Sequence, residues 1–522
     1  MNRQAMLARA AERKTPWDMI VIGGGATGVG VAIDAASRGF AVLLLEAEDF
    51  GKGTSSRSTK LIHGGVRYLE QGNISLVMEA LKERGLLRQN APHLVHDLAF
   101  IVPNYSWWEA PFYGIGMKVY DLLAGKFGFG RSRILSAQET IERLPNLQTE
   151  GLRGGVIYYD GQFDDTRLLM HMAMTAAEHG ATLLNYAPVI EITKDDEGYA
   201  NGVIFEDKEN GEQRKATARV VINATGIFAD QVRRMTDIDA KKMIAPSQGI
   251  HLVFERSFLR ADAAIMVPHT SDGRVLFAIP WHGHTVVGTT DTPIQEASYE
   301  PLPFEEEIEF ILDTASRFLS RPPTRQDILS VYVGIRPLVK AQGDGGEKTS
   351  ALSRDHTIHI DSAGLITIVG GKWTTYRHMA EDCVNHAITL GTLDDAECVT
   401  RSLKLHGYHA APDELGSLWV YGSDAEGIRA IAAGDPGMLA PMHSDLPYCA
   451  AEVVWAVREE MARTVEDVLA RRTRGLFLNA EAAQSLAPAV ARIMASELGY
   501  DDAWIAGQIA QFHALAENYL VR

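Results

Sequence analysis

The sequence predicts an α/β protein: a Rossmann-like dinucleotide-binding domain, interrupted by an inserted antiparallel-sheet domain that serves as substrate platform and followed by a helical C-terminal domain. Three observations predict it. An apolar run at residues 18–22 leads through Gly23-Gly24-Gly25 into small and apolar residues that end at Arg38, and a second apolar run, 40–45, stops at Glu46. Between about residues 240 and 300 apolar and polar positions alternate, as in His251-Leu252-Val253-Phe254 and in 275–279, which is the period of a half-buried antiparallel strand. From about residue 400 the spacing turns helical, notably over 450–469 and 481–498.

Two later apolar runs, 219–223 and 365–369, each end in a glycine-containing turn and complete the dinucleotide sheet. That domain is therefore expected to be discontinuous, at about 16–90, 150–240 and 345–400, with insertions at about 91–149 and 241–344. Residues 401–522 form the helical C-terminal domain. The chain has 522 residues, more than the ~250–300 over which a single core keeps growing. No fixed-period repeat or low-complexity linker interrupts it.

Composition excludes several classes. No apolar run reaches the ~18–20 residues of a spanning helix. The first residues carry Arg3, Arg9, Arg13 and Lys14 but no apolar h-region, so a cytoplasmic location is expected. Cys383, Cys398 and Cys449 are too scattered for a disulfide framework or a metal site. A formal charge of -17 opposes nucleic acid and makes any anion or membrane contact a matter of local patches. His93 with His96, and His282 with His284, have ligand-like spacing but lack Cys or carboxylate partners, and no metal is expected. G-x-S-x-G, Walker and H-E-x-x-H motifs are missing, against hydrolase and kinase readings.

Gly23-Gly24-Gly25-Ala26-Thr27-Gly28 matches G-x-G-x-x-G. The first glycine makes the turn, the second admits a pyrophosphate, and the third allows close helix packing. Glu46 stands near the spacing of an acid that binds ribose hydroxyls, which favours FAD or NAD over NADP. The stretch 53–69 follows, dense in hydroxyls, glycines and cations, and offers many donors to phosphate and ring heteroatoms.

With these blocks the chain resembles the FAD-dependent glycerol-3-phosphate dehydrogenases of the D-amino-acid-oxidase-like superfamily. The matching pieces are IGGGATG at 22–28, TSSRSTKLIHGGVRYLE at 54–70, NATG at 223–226, GTTD at 288–291, VGIRPL at 333–338 and GGKWTTYR at 370–377. Arg471-Arg472-Thr473-Arg474-Gly475 is similar to the family's C-terminal domain. The resemblance implies that Gly23, Gly25, Ala26, Thr27, Gly28 and Glu46 hold the ADP half of FAD. It places Thr54, Ser55, Ser56, Leu61, His63, Gly64 and Gly65 along the pyrophosphate and flavin, and Val189 at the adenine. Ala224, Thr225 and Gly226 close over the cofactor, and Gly370, Gly371, Lys372 and Thr374 approach the flavin ring.

The implied reaction is oxidation of glycerol 3-phosphate by hydride transfer to the flavin, which needs a proton acceptor and cations for the phosphate. Arg67, Arg336 and Lys372 are the expected phosphate ligands, with Tyr68 beside them. His251 is the candidate general base, and Arg336 or Lys372 the alternative stabiliser of a developing alkoxide. Aromatics and cations concentrate at 105–118 and again at Lys126, Phe127 and Phe129, a composition suited to a membrane interface or to a buried corner. The family implies peripheral attachment to the cytoplasmic face of the inner membrane and a membrane quinone, ubiquinone, as acceptor. Competing readings are a soluble oxidase that reduces dioxygen to hydrogen peroxide, an amine or 2-hydroxy-acid oxidase, and a non-catalytic flavin-binding scaffold. A homodimer is compatible with the sequence.

Overall fold

Apolar residues of the first run, Met19 to Ile22, are buried on both faces, which is the environment of a central parallel strand. In the computed structural model, which describes residues 1–66, 69, 72–268, 270, 274–340 and 355–521, strand Trp17–Ile22 is flanked by Val42–Leu45 on one side and Glu212–Asn223 on the other, both parallel to it. Thr182–Leu184 and Ile366–Gly370 extend the parallel set, and His356–Ile360 closes one edge antiparallel. Ile22 pairs with both Leu45 and Asn223, and Asn223 with Thr367. These carboxyl ends finish level, where open α/β sheets bind ligands.

Helices Ala26–Ser37, Asp165–Glu178 and Tyr376–Gly391 cover one face through Val29, Ile33, Met172, Ala173, Met379 and Ala380. The other face is covered by the antiparallel hairpins of Val189–Lys194, Ala200–Asp207 and the start of Glu212–Asn223, with the unanticipated N-terminal helix Arg3–Glu12 beside them. Val189, expected at the adenine, is the first residue of its strand. Tyr186 is left-handed (φ 54), and its hydroxyl donates to Asp467 at 2.7 Å.

Among the described residues, a second sheet of ten strands is mostly antiparallel. Near one edge of it, Ile244–Glu255 pairs with His284–Gly288 and Ser330–Val339. Gly154–Phe163 belongs to this sheet through Val95–Asn104. The sequence boundary near 150 grouped these residues with the dinucleotide domain. Their apolar positions are buried like those of the neighbouring strand Val95–Asn104, so composition alone does not separate the two sheets. Leu61–Ile62 also joins this sheet, which carries the chain from one sheet to the other.

The C-terminal region contains Ala450–Glu459, Ala480–Leu498 and Asp502–Ala516. The helix expected over 450–469 stops at Glu459. Beyond it the Glu460 carboxylate is buried against Arg167 and Trp455, and Met461 is left-handed. Among the described residues no helix is long and apolar enough to cross a membrane.

Arg471, Arg472 and Arg474 join this region to the rest. The Arg472 guanidinium donates to both Asp49 oxygens, at 2.6 and 2.9 Å, and Arg471 Nε to one of them at 2.5 Å. Burial raises the Asp49 pKa, but Arg472 and Arg471 outweigh it and hold the carboxyl well below its usual range. Breaking a buried pair leaves an uncompensated charge and costs about 3–5 kcal/mol. An Arg472→Met protein should show that loss in denaturant unfolding. Because the folded pKa of Asp49 is depressed, its contribution is full above its unfolded value of about 4 and is lost as pH falls below it. The gap between wild type and Arg472→Met should therefore narrow in acid, as unfolding midpoints across pH will show.

Candidate functional site

The first helix begins where the central strand ends, and the turn between them tolerates no side chains. Gly23 has φ 110, and a Cβ there would lie 2.7 Å from the Ala224 carbonyl oxygen. A Cβ on Gly28 would lie 1.9 Å from the Gly23 oxygen, so the third glycine permits the helix to close on the turn. The N-cap, Gly25, makes no side-chain bond, and Ser55 Oγ accepts from Ala26 N–H at 2.9 Å. The other first-turn N–H groups have no intrahelical partner and point, with the positive end of the helix dipole, at whatever lies ahead.

Ahead lies a cleft of about 310 Å³. Gly23, Gly25, Ala26, Thr27, Glu46, Thr54 and Ser55 line one side of it. Val189, Ala224, Thr225, Gly226, Gly370, Gly371 and Lys372 line the rest. Glu46 accepts from Gly24 N–H at 2.5 Å and from Glu48 N–H at 2.9 Å. Burial raises its pKa, and these two bonds partly offset that. A long cleft with a carboxylate at one strand end and bare amides at a helix N-terminus suits a dinucleotide diphosphate.

A second cavity, of about 190 Å³, opens over the other sheet, and Thr59, Leu61, His63, Gly65 and Arg336 line it. Arg336 and Pro337 are consecutive on strand Ser330–Val339, and alternate residues of a strand face opposite ways. Arg336 accordingly lines the second cavity and Pro337 the first. The Arg336 guanidinium donates to the Thr290 carbonyl at 3.0 Å and to Asp291 at 3.3 Å. Asp291 also accepts from Ser247, the cross-strand partner of Arg336. Phe100, Tyr158, Met266 and Phe277 supply apolar walls. A small pocket with a held guanidinium and apolar sides can orient a compact anion.

The remaining expected residues fall elsewhere. Ser56 is buried, and its carbonyl accepts from Lys60 and Arg474. Gly64 N–H donates to the Tyr120 hydroxyl at 2.8 Å. Thr374 Oγ1 accepts from His63 N–H at 3.3 Å. Lys372 lines the dinucleotide cleft, whereas Arg336 lines the second cavity. His251 sits on Ile244–Glu255 with its ring stacked on Tyr332 at 4.7 Å, and only 2% of the residue is exposed. Its Nε2 lies 3.0 Å from Thr59 Oγ1. Arg67 and Tyr68 lie outside the described residues. Sequence reasoning missed Thr59, Asp160, Arg274, Thr289 and Asp291, which also line the second cavity. The GTTD block held a signal for two of these, since two hydroxyls and an acid at a strand end form a polar rim.

Residues 18–377 match the family described as FAD dependent oxidoreductase, and residues 366–505 that described as the C-terminal domain of alpha-glycerophosphate oxidase. The chain is 42% identical over 535 residues to a mitochondrial glycerol-3-phosphate dehydrogenase of Arabidopsis thaliana, covering 94% of this chain and 84% of that protein. It is 40% identical to the mitochondrial glycerol-3-phosphate dehydrogenase of Homo sapiens, over 96% of this chain and 73% of that one. The structure of the glycerol-3-phosphate dehydrogenase from Bacillus halodurans, complexed with FAD, aligns with a TM-score of 0.80 at 29% identity, covering 99% of this chain and 98% of that one.

The cleft geometry has a direct test at Gly25. Its φ is not in the left-handed region, and an added Cβ would meet only Ser55 Oγ, at 3.1 Å. A Gly25→Val side chain therefore fills the cleft instead of the core. The variant should fold, as circular dichroism will show, yet lose most of its bound dinucleotide when the visible absorbance per mole of protein is measured.

Proposed function

From the premise that this chain belongs to the FAD-dependent glycerol-3-phosphate dehydrogenase family, we propose that it oxidises glycerol 3-phosphate to dihydroxyacetone phosphate and passes the electrons to a membrane quinone. The observation that carries this reading is the adjoining pair of cavities: a long cleft fitted to a dinucleotide and, across the Arg336-Pro337 step, a small pocket with a fixed guanidinium. FAD fits the first on the donor set and on the glycines, whose missing side chains leave the space. When bound, it supplies the hydride acceptor for alcohol oxidation.

The chain's own part is to bind and orient. Arg336 presents a guanidinium already aimed by Asp291 and Thr290, so little side-chain freedom is lost when a phosphate arrives. Lys372 stands at the border of the dinucleotide cleft and adds a second positive charge near the reacting end. The apolar walls of the small pocket, Phe100, Tyr158, Met266 and Phe277, lower the local dielectric and strengthen the contact at Arg336.

A membrane acceptor is supported by helix Glu109–Ala124. Its inner face buries Tyr113, Met117 and Tyr120, while Phe112, Ile115 and Leu122 stand 50%, 69% and 80% exposed, with Trp107 before the helix at 77%. Of these, Ile115 and Leu122 border an apolar groove with Pro111, Val119 and Ile134, beside Lys118 and Arg133. Apolar bulk flanked by cations suits the boundary of a bilayer. Phe127 and Phe129 do not join this face. Phe127 packs on Gly85, and Phe129 stacks under Arg84 and Arg88.

Two experiments test the proposal. Anaerobic glycerol 3-phosphate should bleach the visible flavin absorbance, and no bleaching would end the substrate assignment. Hydrogen bonds to charged groups contribute about 1.5–3 kcal/mol, so Arg336→Met should raise the substrate concentration for half-reduction by roughly tenfold to a hundredfold, with flavin content retained. Separately, an Ile115→Asp, Leu122→Asp protein should stop floating with liposomes and lose lipid-stimulated quinone reduction while its anaerobic bleaching persists. Stoichiometric hydrogen peroxide from the wild type in air would instead favour dioxygen as acceptor.

A further inference from the structure

His251 is placed to aim Thr59, not to take a proton. Its ring is clamped on both faces: it stacks on Tyr332 at 4.7 Å, and on the opposite strand a Cβ at Gly288 would come within 2.3 Å of Cδ2. Nε2 meets Thr59 Oγ1 at 3.0 Å, while Nδ1 is buried with no hydrogen-bond partner among the described residues. A neutral imidazole carries one N–H and one lone pair, and which nitrogen holds the proton follows from the bonds available. A buried N–H without an acceptor costs about 1–3 kcal/mol, and an unpaired acceptor is tolerated better. The proton therefore belongs on Nε2, which donates to Thr59 Oγ1. The lone pair on Nδ1 faces the apolar packing.

Two consequences follow for the cavity. With Nε2 already protonated, the imidazole can gain a second proton only at Nδ1, in a place with no acceptor. Burial, and then the charges of Lys60 and Arg336, hold its pKa well below the ordinary value, so the ring stays neutral where the enzyme would work. And because Thr59 Oγ1 accepts from the ring, its own hydrogen turns away from the ring, towards the cavity that Thr59 lines.

We propose that Thr59 is a catalytic hydrogen-bond donor to the substrate oxygen on the carbon being oxidised, and that His251 is its positioning residue. The guanidinium of Arg336 suits the phosphate, and among the neutral donors on the same wall, which include Thr289 and His63, Thr59 is the one whose hydroxyl a buried imidazole aims into the cavity. The inference rests on the glycerol 3-phosphate reading and assigns the contact within it. No proton changes hands between Thr59 and His251; the hydride goes to the flavin and the alcohol proton to a base on the cavity wall other than His251, where His63 also stands.

Rates of anaerobic flavin reduction by glycerol 3-phosphate, measured on the FAD-loaded protein across pH, test it. Thr59→Val should slow reduction about tenfold to a hundredfold, the effect of one hydrogen bond to an oxygen that gains charge, with the half-saturating substrate concentration little changed, and Thr59→Ser should recover most of the rate. His251→Ala should fall as far as Thr59→Val, and the double variant no further. His251→Gln keeps an N–H near the place of Nε2 but cannot act as a base at these pH values. It should recover most of what His251→Ala loses, with an unchanged pH profile. If His251→Gln is as slow as His251→Ala, or if Thr59→Val reduces at the wild-type rate, the proposal fails. Histidine-selective nitrogen NMR of the holoprotein reads the tautomer without turnover, and a proton on Nδ1 would also overturn it. A wild-type flavin that glycerol 3-phosphate never bleaches would count against the function while leaving the tautomer measurement standing.

Discussion

The path of residues 54–62 between two sheets and a third helical body is the constraint on which the rest depends. Within nine positions, Thr54 donates to the Ile335 carbonyl at 2.6 Å, Ser55 Oγ caps the first turn of the dinucleotide helix, and Arg57 donates to the Val333 carbonyl. Ser58 and Lys60 both reach Asp165, at 2.7 and 2.6 Å, and Thr59 meets His251. Lys60 takes a left-handed backbone (φ 64). A long side chain adopts that conformation only where its surroundings over-determine it. Here the ammonium lies 5.0 Å from the Tyr332 ring and 5.1 Å from that of Trp281, besides its bonds to Asp165 and Ser56. Both cavities take a wall from this one segment, so their relative placement is set by backbone.

The C-terminal arginines act on the same junction from behind. Arg474 shares Asp165 with Lys60 and shares the Ser56 carbonyl as well, while Arg472 and Arg471 converge on Asp49, just after the dinucleotide strand that ends at Leu45. Buried ion pairs are weak evidence for net stability, because desolvation offsets most of the attraction. What they do supply is direction: each acid accepts from two cations of fixed geometry, and a misplaced helix would strand a charge in an apolar interior. The helical body thereby fixes the loop that forms the cavities without contributing lining residues of its own.

How much of this was legible in the sequence depended on whether a residue's reason was local. Gly23, Gly25, Gly28 and Glu46 could be read because the turn's steric demand and the acid's spacing are written within one strand-helix-strand unit. Thr59 could not, since it stands in a run of hydroxyls and only its contact with a residue 192 positions away distinguishes it. His251 was legible as a titratable group on a strand, but the missing partner at Nδ1 is a property of packing. Arg471 to Arg474 could be matched to the family's C-terminal domain, but nothing in their own spacing marks them as buried. Their burial follows from acids at 49 and 165, which no periodicity links to them.

The chain's charge of -17 makes the anionic substrate of the proposed reaction a guest in a repelling field. Several strong cations cannot counter it: Arg84, Arg167, Arg471, Arg472 and Arg474 are buried in ion pairs with carboxylates. Arg336 differs in degree. Its side chain keeps 23% of its surface exposed, and its bond to Asp291, at 3.3 Å, is longer than the 2.5–2.8 Å of the buried pairs of Arg84, Arg377 and Arg472. A long, partly open pair costs little to rearrange, so an incoming phosphate can share the guanidinium that Asp291 only orients. Attraction is thus confined to a pocket, where low-dielectric walls make one such charge effective over the few ångströms that matter and the surrounding surface does not mask it.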